Sequence, residues 1–293
     1  MKSNAIEDNA ETAARLAQSV SALPPLPATA QEILTCFGDE FIDADKVTSV
    51  VEGDPGICAK LLGLSNSAYF GLAEPVNSIG EAISRVLGVD TVRSLVLAMA
   101  IQQSFNCKDC PAFTVERFWV DSLMVAELCK KLAAVDNDAD DADRDIAYSA
   151  GLCHNLGLMA LVHMDPQRSN VVLREAAGHS GAGALAKGFL AEFEADQRMV
   201  TAELARAWSL PEPMLMAYQR RAFPETHCTA RLGTILPASI AGVENARLGP
   251  DERASLEEVA NPLGLSGEEL QEIADIGERQ EERVLSLASN MTR

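Results

Sequence analysis

The sequence predicts an all-α protein, a multi-helical bundle, and three observations indicate this fold class. Helix-capping patterns recur along the chain, apolar residues repeat at helical spacing, and no Asn-Gly or Asp-Gly pair joins two alternating strand patterns. Hydrophobic residues make up 47% and charged residues 23% of the 293 residues, which is an ordinary globular balance. We therefore expect a folded helical protein with a large buried core.

The first half of the chain carries the clearest helix boundaries. Asp54 followed by Pro55 is typical of a helix start, because the carboxylate can cap the first turn and proline fits its first position. Ser78 and Glu81 form a capping-box pattern, and Gly88 is placed to end the helix that follows.

The later helices are predicted from their apolar stripes. Residues 92–100 and 115–128 each repeat apolar side chains at helical spacing, and residues 148–162 form a third apolar helical stretch. A second capping-box pattern at Ser266 and Glu269 lies in a Glu-rich segment after about Pro250, which we expect to be a surface helix.

Charge and cysteine content limit the partners and the compartment. Asp and Glu number 43 against 24 for Lys and Arg, a net charge of −19, which disfavours binding to nucleic acids and to anionic membranes. The first residues are acidic rather than signal-like, and no apolar segment approaches the roughly 20 residues of a membrane span. Seven cysteines suit a reducing compartment, so we expect a cytoplasmic protein without membrane contact.

Two motifs suggest metal sites but lack the required partners. The acidic segment 136–145 begins like a calcium loop, yet Asp141 stands where that loop needs Gly and Ala147 where it needs Glu. We expect a solvated acidic loop there. Cys107 and Cys110 have the spacing of half a zinc site or a redox pair, but no second such pair follows, so we expect free thiols.

His154 and Asn155 form the remaining candidate site. A His-Asp pair in an apolar helix can bind a divalent metal, but here the second residue is a neutral amide, which is a poor metal ligand. A hydrogen-bonded core histidine is therefore favoured over a metal ligand, and we expect neither a metal nor another cofactor.

Ordered motifs resemble the HDOD family, the HD-related output domains of bacterial signalling proteins. The resemblance begins at the Leu-Pro-Pro-Leu-Pro run 23–27 and is most specific at Ser-Asn-Ser-Ala-Tyr-Phe-Gly, residues 65–71. It continues through Trp119-Val-Asp-Ser122, Ala150-Gly-Leu-Cys-His-Asn-Leu-Gly157 and Trp208-Ser-Leu-Pro211. It covers residues 23–224 approximately.

The resemblance also implies a division of the chain. It places an HDOD domain at 23–225, with a helical half at about 23–110 and a degenerate HD-like half at about 111–225. Residues 1–22 and 226–293 are then helical extensions at the two ends.

The related HD phosphohydrolases bind metal through histidines and aspartates, and the resemblance assigns their positions here. These fall on Asp121, on His154 with Asn155, on Asp196 with Gln197, and near residues 219–221, so that only His154 keeps the expected residue type. A charge-poor set of this kind does not suit a metal that must bind phosphoryl oxygens and activate water. The resemblance therefore implies a degenerate site without catalytic residues.

Three functions follow as hypotheses. The first is a non-enzymatic regulatory or scaffold protein of bacterial signal transduction that binds a protein partner. The alternative is a metal-dependent phosphohydrolase acting on a nucleotide or cyclic dinucleotide, for example through His154 and Asp121. The third is a sensor that binds a nucleotide, such as a cyclic dinucleotide, without cleaving it; Arg220 and Arg221 then contact phosphates or simply form a solvated helix end.

The aromatic loop after residue 65 has two interpretations. Asn66, Tyr69 and Phe70 could form a surface for a partner. Equally, Asn66 could cap a helix C-terminus, Gly71 could turn the chain and the two rings could fill the core, and this structural role is favoured.

Overall fold

A computed structural model describes residues 23–37, 43–67, 70–177 and 183–246, together with 263, 284, 288, 289 and 291. Within these residues the chain forms helices and no strands, so the all-α prediction is confirmed. One continuous hydrophobic core joins helices from both halves of the described chain.

The helices follow one another along the chain, with longer connections at 66–78 and 103–114. In the first half they are α1 (Ala28–Leu34), α2 (Ala44–Glu52), α3 (Pro55–Ser65), α4 (Ile79–Ala82) and α5 (Val89–Gln102), and a π-helical turn (Ile83–Leu87) follows α4. In the second half they are α6 (Val115–Val135), α7 (Asp141–Leu152), α8 (Leu156–Met164), α9 (Pro166–Ala177), α10 (Ala184–Phe193), α11 (Gln197–Ala207), α12 (Glu212–Ala222) and α13 (Leu232–Ala246).

The predicted caps form the expected hydrogen bonds. The Asp54 carboxylate accepts from two backbone N–H groups in the first turn of α3. The hydroxyl of Ser78 accepts from the N–H of Glu81, and the Glu81 carboxylate accepts from the N–H of Asn77. Gly88 has a φ of +79° and ends the π-helical turn directly before α5. Local sequence chemistry therefore sets these helix ends.

Helix α5 ties the two halves of the chain together. Arg93, whose side chain is fully buried, donates to the carbonyl O of Cys36 at 2.9 Å and to the carboxylate of Asp145 at 2.8 Å. One turn away, the hydroxyls of Ser94 and Ser149 lie 2.5 Å apart. A charged residue thus lies at the centre of the contact between α5, α7 and the end of α1.

Two glycines allow helices of the second half to approach closely. A Cβ on Gly151 of α7 would lie 2.5 Å from the Cα of Ala126 in α6. A Cβ on Gly157 of α8 would lie 2.6 Å from the backbone N of Thr201 in α11, and closer still to the carbonyl O of Gln197. The Gly157 N–H also donates to the Thr201 hydroxyl at 2.9 Å. Only glycine fits these backbone contacts.

The prediction of a solvated acidic loop at 136–145 is wrong in two respects. Helix α7 already begins at Asp141, and Asp136 and Asp143 are buried. Asp143 accepts from the backbone N–H groups of Arg231 and Leu232 at 3.1 Å, and the Asp136 carboxylate pairs with the Arg231 side chain at 2.6 Å. The Asp143 carboxylate can be buried because it caps α13, and the Asp136 carboxylate because it pairs with Arg231. Both partners lie about 90 residues away in the sequence.

The final residues in the described set contact the helical core. The ammonium group of Lys60 donates to the carbonyl O of Met291 at 2.9 Å, and Leu263, Val284 and Ala288 are buried in the core. The capping box at Ser266 and Glu269 and the extension 1–22 lie outside the described residues.

No helix among the described ranges is both long enough and apolar enough to cross a bilayer.

The two thiols of the Cys-x-x-Cys motif are buried. Cys107 and Cys110 are free, and burial together with the neighbouring Cys110 raises the pKa of the Cys107 thiol to about 12. A thiol with so high a pKa is a poor nucleophile at neutral pH.

Candidate functional site

His154 and Asn155 lie in a break between two helices. The sequence predicted one apolar helical stretch over residues 148–162, but α7 ends at Leu152 and α8 begins at Leu156. The N–H of His154 bonds to the carbonyl O of Gly151 at 3.4 Å, in a tight turn. The prediction of a continuous helix was wrong because the turn lets α8 leave α7 and pack against α11 through Gly157.

His154 is a hydrogen-bonded core residue. Its side chain is 5% exposed, and its Nδ1 lies 2.7 Å from the carbonyl O of Gly151. Its own carbonyl O accepts from the guanidinium of Arg221 at 2.8 Å. Burial and the positive charge of Arg221 lower the pKa of His154 to about 3, against the weaker opposing effect of the Gly151 hydrogen bond. The imidazole is therefore neutral at physiological pH.

The neutral imidazole makes stability depend on pH. The unfolded chain binds a proton at His154 as the pH falls through about 6.5, whereas the folded chain does so only near 3. The unfolded state then binds more protons in this window, so the free energy of unfolding decreases as the pH falls. From about pH 7 to about pH 5, we expect wild type to lose about 2 kcal/mol more than His154→Gln.

Urea unfolding of both proteins at the two pH values measures this difference. Since all other titrating groups are shared, they cancel in the comparison. Equal losses in wild type and His154→Gln would show that His154 is protonated alike in the folded and unfolded chains.

The side-chain carbonyl oxygens of Asn155 and Gln197 are buried and accept no hydrogen bond from the described residues. Asn155 precedes α8, and its buried Oδ1 has no hydrogen bond among the described residues. Gln197 is the first residue of α11, and its buried Oε1 likewise has none within the described ranges. The contact of Gly157 with the Gln197 backbone brings the two segments together. The predicted positions His154, Asn155 and Gln197 thus belong to one region.

Asp121 has a separate environment. It lies on α6, and its half-exposed carboxylate is 3.1 Å from the guanidinium of Arg117, one turn earlier. An ion pair between neighbouring turns of one helix is a common surface feature and is weakly stabilising.

The residues at the HD positions do not fit a divalent metal. Among the described residues, no group of three or more His, Cys, Asp or Glu side chains is placed to bind one. The neutral His154 is next to the cationic Arg221, Asn155 and Gln197 carry neutral amides, and the Asp196 carboxylate is paired with Arg198. A divalent ion would meet a positive charge with too few anionic ligands to offset it.

Two charged groups at the HD positions have contacts that the sequence did not predict. Asp196, carried over as a metal position, caps α11 by accepting from the N–H groups of Arg198 and Met199 and pairs with the Arg198 side chain. Arg221 was considered as part of the HD position near residues 219–221, and as a phosphate contact or a solvated helix end. Its contact with His154, 67 residues away, leaves no local signal in the sequence.

The structure gives Asn66 a structural role. Its side chain donates to the carbonyl O of Val76 and accepts from the Val76 N–H, both at 2.8 Å, which closes the loop after α3. Gly71 in this loop has a φ of +55°, and Phe70 packs partly buried against the core. Tyr69 lies outside the described residues, so an interaction role for this loop stays a prediction.

Comparison with known proteins identifies relatives of this chain. The family model of the HDOD domain matches residues 23–222. An uncharacterized protein of Treponema pallidum (strain Nichols) is 24% identical over 204 residues, or 69% of this chain. This chain spans only 38% of the length of that relative.

Solved structures share the same fold. A proposed signal transduction protein from Marinobacter aquaeolei VT8 has a TM-score of 0.79 and 25% identity over 92% of this chain, which spans 60% of that chain. A proposed phosphohydrolase from Shewanella amazonensis SB2B has a TM-score of 0.72 and 22% identity, covering 94% of this chain and 97% of the other. An HDOD domain protein from Geobacter sulfurreducens has a TM-score of 0.71 and 19% identity, covering 96% and 99%.

Proposed function

The chain belongs to the HDOD domain family, and from this premise we propose that it is a non-enzymatic regulatory protein of bacterial signal transduction that acts by binding a partner protein. Its degenerate HD region serves as a structural part of the core. The similarity to a protein described as a signal transduction protein supports the signalling role.

One observation carries the proposal that the protein is not an enzyme. The guanidinium of Arg221 donates to the carbonyl O of His154 at 2.8 Å. Burial and the nearby Arg198 lower the pKa of Arg221 only to about 10, so the group remains charged at neutral pH. Metal-assisted hydrolysis of a phosphate ester needs several protein ligands that hold the ion and leave positions open for substrate and water. A fixed cation beside His154, the one histidine kept at the HD positions, opposes the binding of a divalent ion there.

A hydrolysis assay tests this proposal. We expect wild type to show no turnover of a chromogenic phosphodiester or of a cyclic dinucleotide with manganese, because the HD region lacks a carboxylate ligand set. The matched control is His154→Ala, assayed at the same concentration and with the same metal. Turnover by wild type that disappears in His154→Ala would establish the phosphohydrolase alternative and overturn the proposal.

A further inference from the structure

A cavity of about 610 Å³ opens beside the degenerate HD region. It lies between the first turn of α11, the last turn of α12 and one face of α13, and three arginines line it. We call it the arginine cleft and define it by Gln197, Arg198, Arg220, Arg221 and Glu244. Its volume is in the range of sites for small molecules.

Among the described residues, two of the three arginines form no ion pair within 4.0 Å, although the charges of Glu244 and Asp196 act on Arg221. Arg198 pairs with Asp196. Within the described part of the chain, the one acceptor of the Arg220 side chain is the carbonyl O of Thr226 at 3.3 Å, and that of the Arg221 side chain is the carbonyl O of His154 at 2.8 Å. Neither has a carboxylate oxygen within 4.0 Å among the described residues, although the chain has 43 acidic residues against 24 basic ones. Their remaining N–H groups are available to an anion, and a guanidinium fork suits a phosphate.

Gln197 provides a second, independent observation. It lines the cleft and is 6% exposed, yet within the described part of the chain its Oε1 accepts no hydrogen bond. Leaving a buried amide oxygen without a partner costs free energy, and the large majority of buried side-chain polar atoms in native proteins have one. Rotation of this carboxamide would present it to a ligand in the cleft.

We propose that the arginine cleft binds a phosphorylated small molecule of nucleotide size, with Arg220 and Arg221 holding the phosphate and Gln197 bonding to a polar group of the ligand. Glu244 lines the same cleft, and its charge acts on Arg221. This inference rests on the proposed function, because the ligand acts as a regulator that is bound and not cleaved.

Calorimetric titration of the full chain at low salt tests the cleft. The probes are inorganic phosphate, ribose 5-phosphate, AMP, GMP and a cyclic dinucleotide. We expect at least one organic phosphate to bind more tightly than inorganic phosphate, and Arg220→Gln to weaken it at least tenfold. Arg220 is exposed with a single long hydrogen bond to a carbonyl, so this variant should fold.

The matched control is Arg206→Gln, which removes an exposed arginine of α11 that pairs with Glu203 outside the cleft. Binding should be unchanged in this variant. Absence of binding by all organic phosphates, binding no tighter than inorganic phosphate, or equal binding by wild type and Arg220→Gln would each overturn the proposal.

Chromatography of the titrated samples distinguishes failure of ligand binding in the arginine cleft from failure of the proposed non-enzymatic function. A bound ligand recovered intact supports both. A bound ligand recovered as its hydrolysis product supports the cleft but overturns the non-enzymatic function, whereas no binding and no hydrolysis overturns the cleft alone.

Discussion

Gly157→Ala is expected to lower the free energy of unfolding by about 3 kcal/mol. The added Cβ would lie 2.6 Å from the backbone N of Thr201 and would also overlap the carbonyl O of Gln197. Both are backbone atoms of α11, so the strain can be relieved only by moving one helix against the other. That movement would also stretch the 2.9 Å hydrogen bond from the Gly157 N–H to the Thr201 hydroxyl.

Urea unfolding monitored by circular dichroism measures this loss, with Gly80→Ala as the matched control. Gly80 lies exposed in α4, and nothing is within 4 Å of a Cβ added there. Alanine at that position should leave the free energy of unfolding unchanged or raise it by less than about 1 kcal/mol. Equal stability of the two variants would contradict the close packing of α8 against α11.

Arg93→Met is expected to lower the free energy of unfolding by about 3 kcal/mol, as much as Gly157→Ala. Methionine fills much of the same space but cannot donate to the carbonyl O of Cys36 or to the carboxylate of Asp145. The Cys36 carbonyl would remain buried without this donor. Asp145 is partly exposed, so water can replace some of its lost interaction, which keeps the cost below that of a fully buried ion pair. The guanidinium also lies 4.0 Å from the centre of the Phe37 ring, and this contact is lost as well.

Thermal and urea unfolding of Arg93→Met should be compared with Arg85→Met. Arg85 lies 3.8 Å from Glu81 with both side chains largely exposed, and an ion pair of that kind contributes under about 0.5 kcal/mol. We expect a clear loss in the free energy of unfolding for Arg93→Met and not for Arg85→Met. Matching unfolding curves for the two variants would mean that Arg93 does not hold α5, α7 and the end of α1 together.

Much of the fold follows from short-range patterns in the sequence. The caps at Asp54 and Ser78 and the stop at Gly88 were predicted because each involves residues within one turn of one another. Apolar stripes likewise gave α5 and α6 because helical spacing depends only on near neighbours. Local chemistry is sufficient for these elements.

The remaining features depend on partners far apart in the chain. Asp136 and Asp143 were predicted as solvated because their sequence neighbours are acidic, but their partner is the start of α13. The break at His154 was missed because an apolar stretch does not show where a helix must turn to reach α11.

The sequence named the residues of the candidate site but did not reveal its electrostatics. Family motifs placed His154, Asn155 and Gln197 at the HD positions, and the structure brings these segments together. The sequence could not show that Arg221 reaches the carbonyl O of His154, since the two residues share no pattern or spacing. The sequence predicted a site that lacks metal ligands, whereas the structure shows that the site also contains a fixed cation, Arg221.

Elemental analysis of the purified protein shows whether the HD region holds a metal ion. The protein is prepared without chelators or added metal, and the iron, manganese and zinc content per chain is measured for wild type and for His154→Ala. We expect no stoichiometric metal in either protein. One metal ion per chain in wild type, absent from His154→Ala, would contradict this expectation and would show that the HD region retains a metal centre.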